Sequence, residues 1–137
     1  MNFQLITLSG VKHDAELQSV QLPTAAGEIT VMSNHEPLMS VITPGVITVK
    51  PVSGAVEHYA TFGGVVEVRR AGVKVLVDEA DHGDEINEQE AERAREAAQR
   101  LLKDAKNQVE LNQAQAMIDR QAVRLQVAQL RRRHSRR

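Results

Sequence analysis

Every glycine and every proline in this chain lies at or before Gly83. The prolines are Pro23, Pro37, Pro44 and Pro51, and the Val/Ile/Thr-rich runs are confined to the same part. Beyond Gly83, Ala, Glu, Gln, Arg and Leu dominate. Helix-breaking residues are withheld from one part of the chain and concentrated in the other. That segregation predicts a β-rich unit over residues 1–84 and a helical unit over residues 85–137. Charge divides the chain at the same place. Residues 1–85 carry 5 Lys and Arg against 11 Asp and Glu, a balance of −6, and residues 86–137 carry 12 against 7, a balance of +5. A formal net charge of −1 therefore conceals a dipolar molecule.

The first part reads as short strands between turn signals. Phe3–Leu8 leads to Ser9-Gly10, and Leu17–Leu22 to Pro23 and Gly27. Ile29–Met32 and Leu38–Ile42 flank a polar connection, Ser33–Pro37, which carries His35 and Glu36. Pro37 biases Glu36 toward extended geometry, and Pro44-Gly45 marks a turn. Val46–Val49, Val56–Phe62, Val65–Val68 and Val73–Val77 complete the set. Strands at such intervals with no helix between them predict an antiparallel β-sandwich or flattened barrel. The pair Gly63-Gly64 inside an apolar run predicts a bulge or the close approach of another backbone. Aromatic residues are limited to Phe3, Tyr59 and Phe62, so the core is expected to be aliphatic.

A helix is expected from Asn87, an N-cap residue with Glu90 three positions on. Its apolar stripe is Ala91, Ala94, Ala98, Leu101 or Leu102, and Ala105, with Glu92/Arg95 and Glu96/Arg100 at pairing distance. Lys106-Asn107-Gln108 is the expected break. A second helix from about Glu110 to Leu130 presents Leu111, Ala114, Ile118, Ala122 and Leu125, which predicts an antiparallel two-helix hairpin. A stripe rich in alanine buries few methylenes, each worth about 0.8 kcal/mol, so the hairpin is expected to adhere weakly and to be a moving part.

Composition excludes several functions. The chain has no cysteine, hence no disulfide and no thiolate metal site. No apolar run approaches the roughly 18–20 residues of a membrane-spanning helix. The first residues have no basic segment ahead of their apolar ones and are not expected to act as a signal or transit peptide. His35 has no second histidine at ligand spacing, so a loop or interface role is the simpler reading. Asp78, Glu79, Asp81 and Asp84 lack a calcium-loop pattern and read as a solvated linker before a helix. No hydrolase or phosphate-loop signature is present, and no catalytic residue is assigned.

The combination Gly27-Glu28, Asn34-His35-Glu36-Pro37-Leu38, Ile42-Thr43-Pro44-Gly45, Gly63-Gly64-Val65-Val66-Glu67-Val68 and Val75-Leu76-Val77-Asp78, followed by a helical hairpin, resembles the epsilon subunit of F-type ATP synthases. Asn34 stands where that family usually has glycine, and Val77 where it has alanine. The resemblance implies a non-catalytic subunit of the proton-translocating complex, with a β-sandwich at the foot of the central stalk. Its partners would be the gamma subunit, the c-ring, and the alpha and beta subunits, and Glu28, Ser33, Asn34, His35 and Glu36 would face the stalk and c-ring. It further implies a hairpin that extends into the catalytic head and opposes ATP hydrolysis. The matching basic residues are Arg120, Arg124, Arg131, Arg132, Arg133, Arg136 and Arg137, with no acid after Asp119.

Some members of the family hold regulatory ATP with an Ile/Leu-Asp-x-x-Arg-Ala motif and two arginines four apart. Here Arg120 and Arg124 match, as do Ile86 and Ala91, but Asn87 replaces Asp and Glu90 replaces Arg; a solvated basic face is the simpler reading of those arginines. The implied location is peripheral, on the cytoplasmic face of a bacterial inner membrane rather than a plastid thylakoid. The competing reading of the arginine-rich end is a nucleic-acid-binding protein, opposed by the acidic β unit and the scarcity of aromatics.

Overall fold

A computed structural model describes residues 1–135, so Arg136 and Arg137 lie outside the described residues. The strands are β1 (Asn2–Thr7), β2 (Gly10–Thr24), β3 (Gly27–Met32), β4 (Leu38–Ile42), β5 (Gly45–Pro51), β6 (Glu57–Thr61), β7 (Gly64–Arg69), β8 (Gly72–Val77) and β9 (Ala80–His82). A 3-10 turn, Gly83–Glu85, leads into helices α1 (Glu88–Asp104) and α2 (Gln108–Ser135). The expected antiparallel sandwich followed by a helical hairpin is the fold observed. Among the described residues the one parallel pairing is β1 with β8.

Strand β2 is much longer than its apolar segment Leu17–Leu22. Its first half, including the polar His13, Asp14 and Glu16, pairs with β1, and its second half pairs with β3 and β5. One strand thus serves both layers, and its polar residues are admitted where one face meets water. The run β1-β8-β7-β4 forms one layer; β5, β6 and β9 extend the other. Inward alternation places Phe3 and Leu5 of β1, Val66 and Val68 of β7, and Val73, Val75 and Val77 of β8 against Leu17, Val20, Leu22, Val31, Ile47 and Val49. Among the described residues, none beyond Ala80 belongs to this core.

Gly64 has the predicted close approach: a Cβ there would lie 2.1 Å from the Leu76 carbonyl oxygen. Asn34 has φ of 68°, a left-handed conformation that glycine adopts freely and asparagine tolerates. That geometry suits asparagine at a position where the resemblance implies glycine.

Three expectations are corrected. The acidic run is not a solvated linker, because Ala80–His82 forms β9 at the edge of β6, with Ala60 opposite Asp81 and Tyr59 opposite His82. Helix α2 begins at Gln108, where the Asn107 side chain caps the Glu110 amide at 2.9 Å. Leu111 and Ala122 are exposed rather than on the packed face. The reason for the last is that α2 contacts both α1 and the sandwich, through β5, β6 and the Gly83–Glu85 turn. Its buried positions, Ala114, Leu125, Val127 and Ala128, therefore spread over two faces instead of one stripe.

In α1 the Asn87 cap forms, with its side chain accepting from the Glu90 amide at 3.1 Å. Of the alternatives at the end of the stripe, Leu102 is half-buried and Leu101 exposed. Glu92 pairs with Arg95 at 2.5 Å, and among the described residues no ion pair joins Glu96 to Arg100.

Candidate functional site

Two surfaces stand out. The first is the outer face of the β1-β8-β7-β4 layer. The register aligns Ile6 with Leu76, Leu76 with Val65, and Val65 with Val41, an apolar row crossing four strands. Leu76, Val65 and Val41 are 42%, 42% and 55% exposed, and Met39 in the next row is 73% exposed. Gln4, Lys74 and Glu67 border the row on that side. Scattered apolar residues on a surface need no explanation, but a continuous row with a polar rim marks a protein interface. The signal was present in the sequence: Val65-Val66 and Val75-Leu76-Val77 do not alternate, as expected of strands covered on both faces.

The expected docking residues occupy the opposite layer and its loop. Glu28 opens β3 and accepts a hydrogen bond from the Gln21 side-chain amide. Ser33, Asn34, His35 and Glu36 follow the other end of that strand, so they stand roughly 20 Å of extended chain from Glu28. The structure therefore does not bring Glu28 and His35 together as one site. The loop is held by its own backbone, with the His35 amide donating to the Met32 carbonyl at 3.2 Å. The His35 ring Nδ1 lies 2.7 Å from the Glu36 carbonyl. A carbonyl only accepts, so Nδ1 carries the proton.

The second surface joins the hairpin to the sandwich. Arg120 donates to Glu79. Arg124 donates to Glu79 at 3.0 Å through one Nη and to Asp81 at 2.8 Å through Nε. Both guanidinium groups also lie over the ring of Phe62, at 4.3 Å for Arg120 and 5.2 Å for Arg124, within cation–π range. Further along α2, Arg131 pairs with Asp84 at 3.2 Å and Arg132 with Glu88 at 3.0 Å. The helix lies flush here, since a Cβ on Gly83 would fall 3.3 Å from Arg131 Cδ. Arg133 is exposed. Of the arginines expected to form a solvated or head-facing surface, Arg120, Arg124, Arg131 and Arg132 are thus engaged within the chain. Phe62, Glu79, Asp81 and Asp84 were missed as their partners because those partners lie more than 40 positions away.

Beside this junction is a cleft of about 340 Å³ lined by Asp81, Glu85, Ile86, Asn87, Glu90, Ala91, Ala94, Gln121 and Arg124. It brings together Ile86, Glu90, Ala91 and Arg124 of the nucleotide motif, while Arg120 is outside its wall. The residues do not fit a triphosphate. Asp81, Glu85 and Glu90 present carboxylates to the cleft, and its one guanidinium, Arg124, is already occupied by Glu79 and Asp81. Among the described residues there is no group of His, Cys, Asp and Glu suited to a metal ion.

No helix of the described residues is long and apolar enough to cross a membrane. Residues 1–83 match the family model described as the ATP synthase delta/epsilon chain, β-sandwich domain. The ATP synthase epsilon chain of Herpetosiphon aurantiacus is 35% identical over 132 residues, spanning 96% of both chains. That of Rhizobium meliloti is 38% identical over 104 residues, covering 76% of this chain and 78% of the relative. In fold, a chain of the Euglena gracilis mitochondrial ATP synthase assembly of OSCP, F1 and c-ring superposes with a TM-score of 0.79 at 21% identity, covering 92% of this chain and 79% of its own. A chain of the Tetrahymena thermophila central stalk and c-ring gives 0.62 at 15% identity, covering 93% and 96%. With the sandwich, the hairpin and the motif order all accounted for, the chain belongs to the ATP synthase epsilon chain family.

Proposed function

We propose that this chain is the non-catalytic epsilon subunit of an F-type ATP synthase central stalk. In this reading it couples the catalytic head to a proton-driven c-ring, and its C-terminal hairpin opposes ATP hydrolysis. The observation that carries the docking half is the in-register row Ile6, Leu76, Val65 and Val41 on an uncovered sheet face. An apolar face of this kind is stable in water only as a compromise, and burying it against a gamma subunit recovers about 25 cal/mol for each Å² removed from water. The Ser33–Glu36 loop, with its fixed backbone and outward polar groups, suits contact with the polar loops of a c-ring, and Glu28 extends that contact along β3.

The inhibitory half rests on Arg120, Arg124, Arg131, Arg132 and Arg133, a run of cations on one helix, which released from the sandwich would meet acidic residues of alpha and beta subunits. Nucleotide plays no part in this reading, given the carboxylates of the cleft beside Arg124. The subunit would sit on the cytoplasmic face of a bacterial membrane, held there through the complex. The nucleic-acid alternative finds less support, because the docked arginines already face carboxylates. The test of docking is co-purification with a gamma subunit. Val41→Asp combined with Val65→Asp should abolish it while leaving the melting temperature within a few degrees; retained binding would refute the assignment of this face.

A further inference from the structure

The buried apolar cluster of the sandwich runs from Phe3 to Ala80 and includes nothing from α1 or α2; α2 packs beside it on β5, β6 and the Gly83–Glu85 turn, with Val127 Cγ1 3.5 Å from where a Cβ on Gly83 would lie. Beside that packing, α2 offers the sandwich charge. Glu79 accepts from both Arg120 and Arg124, Asp81 takes the remaining Nε of Arg124, Asp84 takes Arg131, and Phe62 supplies an aromatic face to the first two. A guanidinium has a fixed fork of donors, and one whose fork is spent on two carboxylates cannot present the same geometry to a third. Docking on the sandwich and pairing with an acidic partner are therefore mutually exclusive for Arg124, and largely so for Arg120.

We infer that the β9 edge, with Glu79, Asp81 and Asp84 beside Phe62, is a latch in cis: it holds the hairpin down by occupying the very guanidinium groups that a released hairpin presents to an acidic partner. The partner clause rests on the inhibitory reading above; the latch clause does not. Because the cis contact adds ionic pairs and one aromatic element to the packing of α2 on β5 and β6, these four side chains tune the equilibrium between docked and released hairpin. The position of the acids matters. Glu79 immediately precedes the last strand, Asp81 lies on it and Asp84 on the turn leading into α1, so the same short segment that tethers the hairpin also grips its far end.

The test uses the full chain, whose lack of cysteine allows two spin labels through Ser53→Cys and Gln129→Cys, both at exposed positions. The labelled parent should give one dominant short distance. Glu79→Gln with Asp81→Asn keeps every arginine and the shape of both side chains. It should raise a longer-distance population about tenfold, since charge-assisted pairs are converted to neutral ones. Phe62→Leu should give a smaller shift in the same direction, and Glu67→Gln, away from the junction, none. An unchanged distribution in both junction variants would overturn the latch. In the assembled ATPase, the Glu79/Asp81 variant should hydrolyse ATP more slowly than the parent. Longer distances with unchanged hydrolysis would leave the latch standing and overturn the partner clause together with the inhibitory reading.

Discussion

Arg124 Nε lies 2.8 Å from Asp81 Oδ2, joining the middle of α2 to the edge strand β9. Both side chains are about a quarter exposed, at 24% and 26%, which puts the pair between a buried bridge and a surface one. Pairs of that kind weaken as added salt shortens the screening length from about 10 Å at 0.1 M to about 3 Å at 1 M. Hydrogen exchange should report it. Raising salt over that range should speed exchange in α2 while β1, β7 and β8, held by the apolar core, keep their protection. Uniform behaviour of helix and strands would show that charge does not hold the hairpin.

Tyr59 gives a pH prediction with a clean reporter, because it is the chain's only tyrosine and there is no tryptophan. Burial first, then the Glu57 and Glu85 carboxylates, push its phenol well above the ordinary value. The raised value means that the folded state holds the proton more tightly than the unfolded state. Stability from this group is therefore complete below about pH 10 and falls by about 1.4 kcal/mol per pH unit above it, until the folded phenol itself ionises. The phenolate absorbance near 295 nm should be absent at pH 11 in the native chain and appear on unfolding. Tyr59→Phe should flatten the alkaline loss.

The close approach at Gly64 makes a sharp contrast with the outer row. Gly64→Ala sets a methyl against the Leu76 carbonyl and Val77, and should cost about 1–3 kcal/mol in chemical denaturation. Val41→Thr, on the uncovered face of the neighbouring strand, should change stability by less than about 0.5 kcal/mol.

At the β3–β4 turn, Asn34 occupies the left-handed region. Asn34→Gly should be neutral or slightly stabilising, whereas Asn34→Val should cost about 1–2 kcal/mol, because a branched side chain is strained there. Equal denaturation midpoints for the two would mean that the turn does not constrain the loop.

Much of this was legible in the sequence, for reasons that also explain what was not. Gly and Pro act on the residue that carries them, so their absence after Gly83 announced the helices, and Asn87 announced where the first begins. The recurrence of Val73, Val75 and Val77 at every second position placed an inner face directly, even though Leu76 between them is apolar too. Strand β9 escaped because Asp78-Glu79-Ala80-Asp81 has no apolar pattern; it is a strand through backbone pairing with β6, and its charges are answered by arginines from α2. The two-faced burial of α2 escaped because periodicity finds one stripe, and Leu125 and Val127, both buried, are two positions apart and so lie on different faces of a helix. For the docking residues, motif order brought Glu28 and His35 to notice together, while the length of β3 keeps them apart.

The inhibitory hairpin is the central claim, and ATP hydrolysis tests it most directly. The core ends at Ala80, so a chain ending at Gly83 retains every residue of the sandwich's apolar cluster and should fold. Head and stalk assembled with the whole chain should hydrolyse ATP more slowly than the same assembly with the chain ending at Gly83. Equal rates, with both forms bound in equal amounts, would contradict the claim.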